Sequence, residues 1–287
     1  MLIDVALVRK LVAEQFPHWA HLPVRPVPVG GNDNRTFHLG DEMSARLPSA
    51  EGYVASVEKE QRWLPVLAPH LPVPIPAPLA QGRPGAGYPW PWSVNRWLDG
   101  DTARHDTVGD LTGFAVDLAG FLTALQAVDT GGEPAAGRHS FWRGAALDHY
   151  DDETRAAIAA LDGRVDAAAA TAEWVAALDA TWQGRPVWFH GDVAGGNILV
   201  RDGRLAGVID FGTSGVGDPA CDTVIAWTFL DAPARAAFRA ALGVDDATWQ
   251  RGRGWALWKA LIVLARNGDD TAAAAQIDLV LGRPRLG

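Results

Sequence analysis

The chain has almost no cysteine, with Cys221 alone among 287 residues. One thiol closes no internal disulfide and supplies no cysteine cluster for zinc, so the fold must rest on its apolar core, and a reducing, cytoplasmic setting is expected. Lysine is nearly as scarce, limited to Lys10, Lys59 and Lys259. Positive charge as a whole is outnumbered, 25 Lys+Arg against 34 Asp+Glu, for a formal charge of −9. That deficit excludes a nucleic-acid surface, which needs a positive field to displace counterions from phosphates. Long apolar runs are missing too. Over residues 1–16, Asp4, Arg9, Lys10 and Glu14 interrupt the hydrophobic positions, which predicts an amphipathic helix rather than a signal peptide. No stretch is long enough to span a bilayer, so no membrane partner is expected.

What is present suffices for a sizeable core: 48% of residues are hydrophobic and only 21% charged, which argues against disorder. The pattern changes near Leu98-Asp99-Gly100. Before it, Arg35 to Leu39 and Met43 to Leu47 read as strands across a Gly40-Asp41 turn, and Val54 to Leu67 as an amphipathic helix. From Pro65 to Pro91 recurring prolines predict extended chain without helix, with strands near Leu79–Gln81 and Trp92–Trp97. Gly82 to Gly87 resembles a phosphate loop but lacks a following helix N-terminus, so it reads as a hairpin turn. After the connector, Ala/Leu-rich patterns predict helices over Asp110–Val128, Gly144–Leu161, Asp166–Trp182, Pro219–Phe229, Pro233–Leu242 and Ala247–Ala265. One island of strand interrupts them, Val187–His190, Ile198–Val200 and Leu205–Ile209, the last two across Asp202-Gly203. The expected fold class is α+β: a small antiparallel β-rich lobe (1–97) and a larger, mainly helical lobe (98–287) with an embedded β-hairpin.

Charge is unevenly shared. Up to Leu98 there are nine Lys+Arg against eight Asp+Glu, and beyond it sixteen against twenty-six. A cationic ligand would therefore bind the second part, although a solvated acidic surface accounts for the same numbers.

Polar residues gather on the embedded hairpin. The run His190-Gly191-Asp192 with Asn197 five residues beyond the aspartate, followed by Asp210-Phe211-Gly212, reproduces the catalytic loop and D-F-G order of kinase signatures. Phosphoryl transfer asks for little covalent chemistry and much placement of charge. Asn197 and Asp210 can supply an amide oxygen and a carboxylate to Mg²⁺, a hard cation that prefers oxygen. Asp192 can accept the proton of an attacking hydroxyl. Each residue alone reads equally well as a turn former.

With Ile209, and with Gly217-Asp218-Pro219-Ala220 and Asp222 downstream, these motifs resemble the aminoglycoside phosphotransferase (antibiotic phosphotransferase) family over almost the whole chain. The glycine after His190, where protein kinases usually have arginine, points to that branch. The resemblance implies a bilobal protein-kinase-like fold, with a nucleotide-binding lobe over 1–97 and a catalytic, substrate-binding helical lobe over 98–287. It makes Asp192 the catalytic aspartate and Asn197 and Asp210 the magnesium ligands, with Asp218 and Asp222 structural. ATP or GTP is the implied co-substrate.

The family pattern puts a lysine on the third strand, paired with a glutamate on the next helix. Here Arg46 stands at that place; its partner would be Glu60, with Glu58 as the alternative. A turn carrying Gly31, Asn32 and Asn34 can cover phosphates with backbone N–H groups. Backbone groups at about Arg96 and Leu98, in the stretch resembling the inter-lobe hinge, would bind the base. The acceptor implied is a hydroxyl on an aminoglycoside or similar antibiotic, possibly cationic, with Asp148, Asp151, Asp152 and Glu153 as candidate contacts. Trp142, Trp227, Trp255 and Trp258 would instead suit a macrolide or another sugar or amino-alcohol metabolite, and read otherwise as core. A monomer or weak dimer is expected. Two other classes stay in view: a metal-dependent hydrolase, which lacks a second histidine at ligand spacing, and a non-catalytic nucleotide-binding module, suggested by the missing lysine.

Overall fold

A computed structural model describes residues 2–28, 33–132 and 135–283. The chain divides into two compact units, Met1–Gly100 with Ala206–Gly212, and Asp101–Leu205 with Thr213–Gly287. The short returning segment, which the sequence pattern assigned to the second part, thus clusters with the first.

In the first unit, α1 (Val5–Gln15) is capped by Asp4, whose carboxylate accepts from the Leu7 N–H at 2.9 Å. Its buried Val8, Leu11 and Val12 share one apolar cluster with Phe37, Leu39, Ala45, Leu47, Trp92 and Val94. Those residues come from β2 (Asn34–Leu39), β3 (Met43–Pro48) and β5 (Trp92–Arg96), and the unit also holds β1 (Val24–Pro26), α2 (Val54–Leu67) and β4 (Pro78–Gly82). The sheet is antiparallel throughout, in the order β1-β2-β3-β5-β4. Period two along β3 puts Ala45 and Leu47 on the cluster's face and Ser44 and Arg46 on the other. Gly82 to Tyr88 forms a turn closed by a Gly85–Tyr88 bridge.

α2 covers the Val54–Leu67 expected from the apolar spacing, with Pro65 inside it, so the helix-excluding effect of the proline run takes hold only beyond Leu67. Pro65 removes one N–H near the helix end, and the burial of Leu64 and Leu67 on either side of it outweighs that loss.

The second unit holds β6 (Asp101–Thr102), α3 (Leu111–Ala127), α4 (Asp151–Ala160), α5 (Ala167–Asp179), β7 (Val187–Phe189), β8 (Ile198–Arg201) and the start of β9 (Arg204–Val208). After the returning segment come β10 (Gly215–Gly217), α6 (Ile225–Thr228), α7 (Ala232–Leu242), α8 (Asp246–Asn267) and α9 (Thr271–Val280). β10 pairs antiparallel with β7, and β6 with β8. β8 and β9 are joined by Asp202-Gly203, both at positive φ (54° and 77°), the conformation a two-residue hairpin turn requires. α8 is buried on most sides, and at Gly252 an added Cβ would stand 1.8 Å from Thr223 Oγ1, so only glycine permits that approach.

Two expectations need correction. Helix over Gly144–Leu161 begins only at Asp151, because Phe141, Trp142 and Gly144 hold left-handed φ (48°, 58° and 73°) and a 3₁₀ turn fills Leu147–Tyr150. Pro219–Phe229 is a 3₁₀ run to Val224 followed by the short α6. Part of the acidic content of this unit is structural, since Asp110, Asp166, Asp231, Asp245 and Asp270 each cap a helix through a backbone N–H. β10 and α9 had no counterpart in the sequence reading. Among the described residues, no helix is long and apolar enough to cross a membrane.

Candidate active site

In the first unit, Asp210 follows β9 at φ 66°, a left-handed conformation that aspartate tolerates better than most residues. The pairing Thr36↔Arg46↔Ser93 aims Arg46 away from the apolar cluster. Its guanidinium forks: Nη1 donates to Glu60 of α2 at 3.2–3.3 Å, and Nη2 to Asp210 Oδ1 at 2.9 Å. One arginine thus spans two carboxylates at once, which a point-like ammonium does less well. Burial opposes the Arg46 charge, but Glu60 and Asp210 together overcome it and hold the guanidinium firmly protonated. Burial pushes the Glu60 carboxyl up, because the cation beside it is shared with Asp210. Lys59, also on α2, donates to the Gly212 carbonyl at 2.8 Å and so pins the turn after Asp210.

In the second unit, the loop after β7 is held by Asp222. Its two carboxylate oxygens accept from the His190 and Gly191 N–H groups at 2.8 and 2.6 Å. Thr213 Oγ1 donates to the His190 carbonyl at 3.0 Å. Gly191 sits at φ 85°, and a Cβ there would meet the Thr213 carbonyl at 2.8 Å, so the sharp bend before Asp192 depends on glycine. Asp222 is almost wholly buried, and that burial pushes its carboxyl pKa up.

Asp192 emerges from this loop with both oxygens engaged. Oδ1 accepts from Lys259 Nζ on α8 at 2.9 Å, and Oδ2 from Asn197 Nδ2 at 2.9 Å. Burial acts to raise its pKa, yet Lys259, His190 and Arg143 outweigh it and hold the carboxyl below the usual aspartate range. Asn197 Nδ2 also donates to the Asp192 carbonyl at 2.9 Å. With its N–H groups committed to two acceptors, the amide presents its oxygen elsewhere. That oxygen and Asp210 Oδ2, which has no partner among the described residues, are hard donors of the kind Mg²⁺ takes. Among the described residues, no three His, Cys, Asp or Glu side chains cluster as metal ligands, so such an ion would also need phosphate or water oxygens.

The structure therefore brings Arg46, Glu60 and Asp210 together in one unit, and Asp192 and Asn197 in the other. Asn34 is buried as the first residue of β2, while Gly31 and Asn32 lie outside the described residues. The Arg96 N–H is taken by the Ala77 carbonyl at 2.8 Å, which leaves only its carbonyl for a base. Leu98 makes no backbone hydrogen bond among the described residues. Asp218 caps the turn after β10 and forms a buried pair with Arg251 at 2.6 Å. Asp151 is bound to Arg155 and Trp174, and Glu153 to Trp258 and Arg266, so half of the acidic group proposed for a cationic acceptor is already occupied. Lys259 and Arg143 were missed; they come from distant parts of the sequence, and no spacing signals either.

The kinase-like fold is shared with solved structures. The GDP and kanamycin complex of APH(2")-IIia superposes with a TM-score of 0.73 at 20% identity, covering 95% of this chain and 96% of that one. The streptomycin–ATP–APH(2")-IIa ternary complex gives 0.64 at 16% identity, covering 98% and 97%. Macrolide 2'-phosphotransferase MphH from Brachybacterium faecium gives 0.61 at 21% identity, covering 98% of each chain. No curated protein matches the chain. Residues 24–255 match the model of the phosphotransferase enzyme family, and the chain belongs to that family.

Proposed function

We propose that this phosphotransferase moves the γ-phosphate of ATP or GTP to a hydroxyl of a small molecule in a Mg²⁺-dependent reaction, with Asp192 as the base. The observation that carries the reading is the state of Asp192: a carboxylate kept ionised by Lys259 and oriented by Asn197 at the tip of a loop fixed by Asp222. An ionised, oriented carboxylate can take or align the proton of an attacking alcohol, an effect of about 10²- to 10⁴-fold. Arg46, locked to Glu60, would clamp the nucleotide phosphates, and the backbone near Arg96 and Leu98 would meet the base. Asn197 and Asp210 would hold Mg²⁺, which when bound neutralises charge on the phosphates. An intact base argues against a non-catalytic nucleotide-binding module.

Aminoglycosides are the acceptor class the family resemblance favours, and kanamycin, streptomycin and macrolides are named with the neighbouring structures. The cations beside Asp192 favour the second reading, a less cationic sugar-like metabolite. The test is incubation with Mg²⁺ and γ-labelled ATP or GTP against aminoglycosides, macrolides and sugars. Label in an acceptor supports the proposal; nucleotide binding with no transfer to any acceptor contradicts it.

A further inference from the structure

A small pocket in the second unit opens beside Asp192, lined among others by Arg143, Gly191, Trp255, Trp258 and Lys259. Its enclosed volume is about 10 Å³, so it admits the end of a ligand rather than the whole of one. Its lining carries two cations, Arg143 and Lys259, against the single carboxylate of Asp192.

The polar groups not yet used there are donors. Arg143 has no carboxylate within ion-pair distance among the described residues; its guanidinium lies 4.5 Å from the Trp258 ring centre and 5.5 Å from that of Trp255. Stacking on those rings fixes the guanidinium's plane, while its Nη1 reaches the Phe141 carbonyl only at 3.5 Å and its charge acts on Asp192 without a direct ion pair. Trp255 is buried, and its indole N–H has no partner among the described residues. A buried donor without an acceptor is costly, and here one stands at the pocket beside a half-buried guanidinium that has no carboxylate partner among the described residues. Asp192 offers no relief, since both its oxygens are already engaged.

We propose that this pocket receives a carboxylate of the acceptor, bound by Arg143 and the Trp255 N–H, so that the phosphorylated molecule is a hydroxy acid rather than a polycation. The inference rests on the phosphotransferase reading and narrows its acceptor. An ammonium placed there would face Arg143 and Lys259, and the lining's one carboxylate, Asp192, is already paired with Lys259. A carboxylate matches the arginine fork and supplies the acceptor that the indole lacks.

The test follows the tryptophan fluorescence of the whole protein during titration with glycerate, glycerol and 3-amino-1,2-propanediol, and with gluconate, glucose and glucosamine. At least one acid is expected to saturate at least about tenfold more tightly than its neutral and amino counterparts. Arg143→Gln should lose that preference, Arg143→Lys should restore part of it, and Trp255→Phe, which keeps a ring but not the N–H, should weaken acid binding severalfold. Saturation by neither acid, equal or tighter binding of the amino compounds, or unchanged acid binding in Arg143→Gln overturns the inference. Labelled transfer to kanamycin that Arg143→Gln leaves intact would also overturn it, while the phosphotransferase reading stood. Hydroxy-acid binding with no transfer from either nucleotide would do the reverse.

Discussion

The two charged clusters are built with opposite balances. In the first unit one cation, Arg46, serves two carboxylates, Glu60 and Asp210. In the second, one carboxylate, Asp192, faces Lys259 directly and Arg143 at longer range. A cluster short of positive charge suits an added cation, and one short of negative charge suits an added anion. On the proposed function, the Arg46–Asp210 cluster would take Mg²⁺ with the phosphates it carries, and the Asp192 cluster would take the acceptor. A third pair, Arg251 with Asp218, is balanced and closed, and it has the character of a purely structural element.

Substitutions can break this comparison, beginning with the largest effect. Asp192→Asn should lower kcat by about 10²- to 10⁴-fold while leaving the nucleotide KM in place; steady-state kinetics at saturating acceptor would show it, and a loss confined to KM would reassign the residue. Asp218→Ala should strand the buried Arg251 charge and reduce stability by ~3–5 kcal/mol in denaturant unfolding, with wild-type kcat in the fraction that stays folded. Arg46→Lys should weaken nucleotide binding by roughly tenfold, because an ammonium cannot hold Glu60 and Asp210 with the same fork; unchanged affinity would show that the fork is dispensable. Lys259→Met removes a half-exposed pair and should cost kcat about fivefold or less, a loss that Lys259→Arg should largely restore.

The chain's legibility followed the range of the interactions. The hairpin was readable because Asp202-Gly203 and the alternating strands beside it are local signals, and Asp192, Asn197 and Asp210 stand at fixed offsets from it. Helices with a clear apolar stripe were legible to within a few residues, as at α3 and α7. At Pro65 the apolar spacing through Leu64 and Leu67 read the helix to its end, where the proline run taken alone would have stopped it. The aspartates of the helical part suggested a cationic ligand by number, whereas several of them serve as helix caps. Arg143 and Lys259 left no trace, since what matters in them is proximity to Asp192 across long sequence separations. Trp255 and Trp258 read as core and are indeed buried, yet they also line the pocket at Asp192.

The division of labour between Asp210 and Asp192 is tested most directly by calorimetric titration of ADP, with and without Mg²⁺, into wild type, Asp210→Ala and Asp192→Asn. The account predicts that Mg²⁺ strengthens ADP binding in wild type and in Asp192→Asn, and that Asp210→Ala loses that increment. An increment kept by Asp210→Ala, or lost equally in Asp192→Asn, would contradict it.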